Sequence, residues 1–376
     1  MDLSMVQQRS RVLASGLSVC LLVGIGAGCS TNNSNDSGPS GISCAPASSL
    51  PGFPVPQGPP AITGGFAYAV RTSSHKIVWY KVESSGALTS RGEICAGFQP
   101  TFIAVNSTKK LAYVTNYSSD TVSAYTIGAD GGLTSLGSPV SAGSGPASIS
   151  VDWTHNFVYV ANFESDTVSV YKIGSDGLLT LVEHKATGGG PDAIAINSTG
   201  TRAYVAHFRS DTISTYKINA TTGKLEDVTV PNVPLTTGNG PNAIAIHPNG
   251  SFLYVSNEES ATVSAYSIKT TGELELLGGP PVATGNGPEG VTVDLSGKFA
   301  YVTDGQADTI SIYTVGANGV LQAPRSIVGA NGDPEGITVD PTGKFVYVVH
   351  RDTRDIFVYT INPATGTLTF QSSVSL

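Results

Sequence analysis

Pro100-Thr-Phe-Ile-Ala-Val105, Leu111-Ala-Tyr-Val-Thr-Asn116, Thr121-Val-Ser-Ala-Tyr-Thr-Ile127 and Leu133-Thr-Ser-Leu136 follow one another with only short polar connections. Each run is rich in Val, Ile, Thr and Tyr, and several alternate apolar with polar residues. That pattern predicts strands rather than helices. Four strands joined by hairpin turns make one small antiparallel sheet.

The same unit recurs along the chain. Tyr68, Tyr113, Tyr159, Tyr204, Tyr254, Tyr301 and Tyr347 each close a short apolar run. Twelve residues later come Tyr80, Tyr125, Tyr171, Tyr216, Tyr266, Tyr313 and Tyr359, so only Tyr117 of the 15 tyrosines stands outside the repeat. Pro100, Pro146, Pro191, Pro241, Pro288 and Pro334 precede the first tyrosine by thirteen residues, and a Gly-x-Leu step such as Gly131/Leu133 occurs in all seven repeats. A period of 45 to 50 residues marks a repeat architecture. One such sheet cannot bury both faces alone, whereas radial packing in a closed ring buries them and protects the edges. The expectation is an all-β, seven-bladed propeller with four-stranded antiparallel blades. A linear β-solenoid is the alternative, but its repeats are usually shorter and parallel.

Blade one is the irregular one. The position thirteen residues before Tyr68 is Val55, and Val55-Pro-Gln-Gly-Pro-Pro-Ala61 does not read as a strand. The sequence ends at Leu376, after the outermost strand of blade seven. The expectation is that residues from about Ile42 to Ile62 cover the gap, or that blade one has three strands.

The N-terminus reads as an address. Arg9 and Arg11 precede an apolar stretch from Val12 to Ile25 and then Gly26-Ala27-Gly28-Cys29. Residues 1–28 are too short and too glycine-broken for a membrane span and fit a signal peptide. The small residues before Cys29 resemble a bacterial lipoprotein signal, with Gly26 where an aliphatic residue is usual. The resemblance implies lipidation of Cys29, and Ser30 after it implies outer-membrane sorting. Ordinary secretory cleavage near the same point is the alternative. Residues 29–57, rich in Ser, Asn, Gly and Pro, then read as a flexible tether, and 58–376 as the propeller. With Cys20 in the leader, Cys44 and Cys95 remain. A bridge between them would close a loop of about 50 residues, worth about 4 kcal/mol in the chain-entropy model, and an oxidising compartment permits it. The alternative is two unpaired thiols. Charged residues make up only 13% and the net charge is −8, so nothing is basic enough for nucleic acid. A monomer is expected, touching the membrane only through its lipid.

Function has to be sought where the repeats differ. In a propeller the loop entering the innermost strand and the loop between the second and third strands share one face. The residues three past each first tyrosine are Arg71, Asn116, Asn162, His207, Asn257, Asp304 and His350; those after the repeat prolines include Asp192, Asn242, Glu289 and Glu335. Together they are expected to ring the mouth of the central channel. Asp120, Asp166, Asp211 and Asp308 read as turn residues, and Asn116 and Asn162 as structural. The departures, Arg71, His207, Glu258, Asp304, His350 and Arg351, are the candidates for binding or catalysis. There is no Gly-x-Ser-x-Gly elbow, no His-Glu-x-x-His and no cysteine pair with zinc spacing, so neither a metal nor another cofactor is expected.

Tyr113-Val-Thr-Asn116 with Asp120-Thr-Val-Ser-Ala-Tyr125 resembles the YVTN-type propellers and the wider lactonase-like family that includes 6-phosphogluconolactonase. The resemblance runs from about Gly58 to Leu376. Its closest local match is Gly240-Pro-Asn-Ala-Ile-Ala-Ile-His247 with Asn257-Glu258, where such enzymes typically carry Gly-Pro-Arg-His and Asn-Glu. His247, Asn257 and Glu258 fit. Asn242 and Ala243 replace the Arg-His pair, and a further arginine of a late blade falls on Glu335. Those arginines would hold an anionic substrate. Two readings follow: an envelope propeller binding a protein, glycan or small molecule at its mouth, and a lactone hydrolase for a non-phosphorylated substrate using Glu258 with His207 or His350. A third reading makes the outer blade faces an adhesion surface.

Overall fold

The computed structural model describes residues 57–63, 65–106, 108–228, 235–324 and 326–376. Their strands form seven antiparallel sheets, each ordered from first to last strand along the chain. Blade one comprises Ala61–Thr63, Phe66–Arg71, Lys76–Val82 and Leu88–Cys95; blade seven comprises Pro334–Val339, Phe345–His350, Asp355–Ile361 and Leu368–Ser375. In blades two, four and five the outermost position is filled by two short pieces, as with Leu274–Leu276 and Val282–Ala283 in blade five. The innermost strands start at the repeat prolines: Pro100–Asn106, Pro146–Asp152, Pro191–Ile196, Pro241–Ile246 and Pro288–Val293 in blades two to six.

The tyrosines do more than fill strands. The first tyrosine of a blade reaches forward: Tyr68 donates its hydroxyl to Gly131 O, Tyr113 to Gly177 O, Tyr159 to Gly223 O, Tyr204 to Gly272 O and Tyr254 to Gly319 O. Each acceptor is the glycine of the next blade's Gly-x-Leu step. The second tyrosine reaches back to the outer strand of the preceding blade, as Tyr125 to Cys95 O and Tyr171 to Ser141 O. The rings themselves are buried. Every apolar cluster joins two neighbouring blades; one unites Tyr347, Val358 and Leu376 of blade seven with Ala67, Val78 and Tyr80 of blade one. The core of this fold therefore lies between the sheets, and at about 25 cal/mol per Å² of apolar surface it is the main source of stability.

The ring closes through residues near the N-terminus. Ala61–Thr63 pairs with the second strand of blade one, Ala61 opposite Tyr68. In blade two the residue opposite the tyrosine is Ala104, nine positions before Tyr113 rather than seven. The first hairpin of blade one is thus two residues shorter, so Gln57, not Val55, takes the place of the repeat proline. Gly58 N–H bonds to Thr101 O at 2.8 Å, and a Cβ on Gly336 would lie 2.4 Å from Pro59 N, which shows how closely the inner strands of blades seven and one approach. Tyr347 donates to Gly86 O and Tyr80 to Ser375 O across the same seam.

Cys95 is disulfide-bonded. Its expected partner Cys44, the signal sequence, Cys29 and the tether as far as Pro56 lie outside the described residues. Among the described residues no helix is long and apolar enough to cross a membrane.

Candidate functional site: an acidic sector at the channel mouth

One end of the inner strands is organised by a repeated backbone bond. The residue four past the first tyrosine donates its N–H to the carbonyl of the residue before the repeat proline: Tyr117 to Gln99, Phe163 to Gly145, Phe208 to Gly190, Glu258 to Gly240, Gly305 to Gly287 and Arg351 to Asp333, at 2.8–3.0 Å. These side chains therefore stand beside those that follow the prolines, and together they form the mouth.

The residues one position earlier do not face it. Asn116, Asn162, His207, Asn257, Asp304 and His350 are fully buried within their own blades. Asn162 donates to Thr167 Oγ1 and Ser169 Oγ at 3.0 and 2.8 Å, and Asn116 and Asn257 make the same pair of bonds in their blades. Asp304 accepts from Thr309, Ser311 and Thr284. His207 Nε2 lies 3.0 Å from Ser214 Oγ. In blade seven Phe357 replaces that serine, and His350 stacks on it at 4.0 Å while Nδ1 meets Asn331 O. Burial lowers both histidines to about 4 and raises Asp304 above the usual carboxylate range. The expected catalytic roles of His207 and His350, and ligand binding by Asn257 and Asp304, are therefore replaced by structural roles: polar groups tying the second strand to the third. Arg71 is likewise committed within blade one, to Glu93 Oε2 at 3.1 Å.

The structure does bring together Asn242, Glu258, Glu289, Glu335 and Arg351. Asn242 Nδ2 donates to Glu258 Oε2 at 3.2 Å and to Pro288 O at 2.9 Å, while Ser256 Oγ donates to its Oδ1. Arg351 lies 3.3 Å from Glu289 Oε1 and 3.0 Å from Glu335 Oε1, and its Nε donates to Asp333 Oδ2 at 2.6 Å. Glu335 Oε2 accepts the backbone N–H of Gln57. The side chains of Glu289 and Glu335 are only 4% and 1% exposed. Three carboxyl groups, those of Glu289, Glu335 and Asp333, thus surround one guanidinium, and Glu258 lies near enough for its charge to act on Glu289 and Glu335. Burial raises Glu335 to about 8, against the pull of Arg351 and the Gln57 N–H, and burial with the charges of Glu335 and Glu258 raises Glu289 well above its ordinary value.

Asp333 escaped the sequence reading, although a signal was present. It sits before Pro334, where blades three to six have Gly145, Gly190, Gly240 and Gly287. Asp333 holds a left-handed φ of 58° that suits glycine. Gly305 lets it do so: a Cβ there would lie 2.5 Å from Asp333 Oδ1 and 3.2 Å from Glu289 Oε1.

The other sector of the mouth is different. Phe163 and Phe208 lie 6.0 Å apart, the Arg209 guanidinium sits 4.4 Å over Phe163, and Glu164 accepts from Tyr117 and Arg209. Asp192 is half-buried there, near enough for its charge to help raise the Tyr117 phenol. His247 matches the family pattern, but it occupies the hairpin at the far end of its strand, with Nε2 2.9 Å from Gly297 O. A cavity of about 440 Å³ lined by Phe66, Trp79, Lys81, Arg91 and Asp130 lies between blades one and two and includes none of the mouth carboxylates.

Residues 66–375 match the model of the lactonase family with a 7-bladed β-propeller. The chain belongs to this lactonase family. The lactonase-like propeller is similar to a solved protein of Lactobacillus plantarum, at 24% identity and a TM-score of 0.71, over 80% of this chain and 92% of that one. A candidate 6-phosphogluconolactonase of Bacteroides fragilis is similar at 22% identity and a TM-score of 0.71, over 80% and 90%. The periplasmic gluconolactonase of Pseudomonas aeruginosa is similar at 20% identity and a TM-score of 0.69, over 80% and 92%. These likenesses establish the fold of this lactonase-like propeller. No curated protein sequence matches it.

Proposed function

We propose that this lactonase-like propeller is an exported ligand-binding module whose mouth takes a small neutral or cationic molecule. The observation that carries this reading is the crowding of Glu289, Glu335 and Asp333 around Arg351, with Glu258 beside them. A phosphate or carboxylate placed there would meet carboxyl oxygens in a poorly solvated setting, with Arg351 already committed to three of them. The family resemblance implies arginines where this chain has Asn242 and Glu335. The leader-like N-terminus supports encounter with the ligand in the cell envelope rather than with a cytoplasmic sugar phosphate.

A second reading is hydrolysis of an uncharged lactone. It is favoured by the proximity of the half-buried Glu258 to two carboxyls whose pKa values burial raises, since acyl transfer to water needs a base beside a proton donor. Turnover of neutral and phosphorylated lactones by the purified protein separates the two. The binding reading expects no rate above background. Hydrolysis of a neutral lactone that is abolished by Glu258→Gln would establish the second reading in its place.

A further inference from the structure

Glu289 is the least explained group in the mouth. Its side chain is 4% exposed, and Oε2 has no hydrogen-bond partner. Oε1 lies at a long 3.3 Å from Arg351, which is shared with Glu335 and Asp333. Asp333 Oδ1 is also without a hydrogen bond, and it lies over the bare Cα of Gly305 on the side where Glu289 Oε1 lies. A buried carboxylate oxygen left unmatched costs on the order of 1–3 kcal/mol, so a missing partner is implied. The charges facing Glu289 are Glu335, Glu258, Asp333 and Arg351. With Arg351 already shared among three carboxyl groups, the partner that fits the two open oxygens, Glu289 Oε2 and Asp333 Oδ1, is a donor, and preferably a cation.

We propose that the acidic sector takes the ammonium group of a small organic amine, with Glu289 and Asp333 accepting its hydrogens and Glu258 at the rim. This deepens the ligand-binding reading and rests on it. Among the described residues no set of His, Cys, Asp or Glu side chains has the arrangement that holds a metal ion. An ammonium, with three donors and no need for a closed shell of ligands, suits two separated acceptors better.

The test is a matched-pair binding measurement on the mature protein, by thermal shift and calorimetry at pH 7.5. Ethanolamine, glucosamine and cadaverine are compared with ethylene glycol, glucose and 1,5-pentanediol. At least one amine is expected to bind about tenfold tighter than its neutral counterpart, equivalent to about 1.4 kcal/mol. Glu289→Gln and Glu258→Gln should each abolish that preference, and Glu275→Gln on the exposed outer strand of blade five should leave it intact. Equal binding of both members of every pair, still sensitive to Glu258→Gln, would overturn the amine assignment while leaving a ligand site at the mouth. If no probe binds, the amine assignment and the ligand-binding reading both fall. Calcium or magnesium chloride giving the same Glu289-dependent stabilisation would overturn the amine in favour of a metal.

Discussion

Glu335 accepts the backbone N–H of Gln57 at 2.8 Å, joining the inner strand of blade seven to the start of blade one. The position where the family resemblance implies a substrate-holding arginine is thus occupied by a carboxyl that helps close the ring. The same side chain is held by Arg351, so the seam of the propeller and the acidic sector share a residue.

That sharing makes stability depend on pH. Glu335 has a folded pKa of about 8 against an ordinary 4.5, and Glu289 is raised in the same direction. A carboxyl whose folded pKa lies above its unfolded one contributes stability that is fully present below about 4.5 and is lost as pH rises through about 8. Urea midpoints are expected to fall across that window. Glu335→Gln, which keeps an acceptor for Gln57, should flatten the slope. Identical slopes for the two proteins would remove Glu335 as its source.

The buried histidines act at the opposite end. His207 is held at about 4, below its ordinary 6.5, so its contribution is present above 6.5 and lost as pH falls through about 4. His207→Asn places in blade four the residue type that in blade three, as Asn162, donates to Thr167 and Ser169. Thr212 and Ser214 are there to receive it. The variant should fold normally and lose less stability than the parent between pH 6.5 and 4, as read by thermal melts. An equal acid loss would show that His207 is not responsible.

The tyrosine bridges give a controlled pair. Tyr204 donates to Gly272 O, whereas the equivalent buried hydroxyl of Tyr301 has no hydrogen-bond partner. Tyr204→Phe should cost about 1–2 kcal/mol by leaving a buried carbonyl unmatched. Tyr301→Phe should stay within about 0.5 kcal/mol of the parent. Equal losses in denaturant unfolding would contradict the assignment of the hydroxyls as blade-to-blade ties.

Ala261 is a gap in another repeated device. Asp120, Asp166 and Asp211 hold left-handed φ values of 52° to 54° and accept the N–H of Gly145, Gly190 and Gly240 in the next blade. In blade five that place is taken by Ala261, at φ 50° and with no acceptor to offer Gly287. Ala261→Asn supplies an acceptor and tolerates the conformation without adding charge. It should raise stability by about 1 kcal/mol in urea unfolding. No gain would mean that Gly287 N–H is already satisfied.

The blades, their number and the turn aspartates were legible because they repeat, and repetition fixes strand period and turn chemistry together. The mouth was legible only in part. Alignment of the repeats singled out Glu258 and Arg351 as departures and put Asn242, Glu289 and Glu335 among the residues that follow the prolines. It could not show that a residue three past the tyrosine points into its blade while the next one faces the mouth. Side chains alternate along a strand, so one position decides between burial and exposure. His207 and His350 were misplaced for that reason. Asp333 was missed because a residue before proline reads as loop, although its neighbours in the alignment are glycines. Gln57 was hidden by a hairpin two residues shorter than its counterparts, which shifts the count without changing the topology.

The charge of the mouth is tested most directly by direct binding of 6-phosphogluconate, the product of the phosphorylated lactone, to the mature protein. No binding at millimolar concentration is expected, because Arg351 is already committed to Glu289, Glu335 and Asp333 and Glu258 lies beside them. Tight binding that Arg351→Gln abolishes would contradict an anion-rejecting mouth.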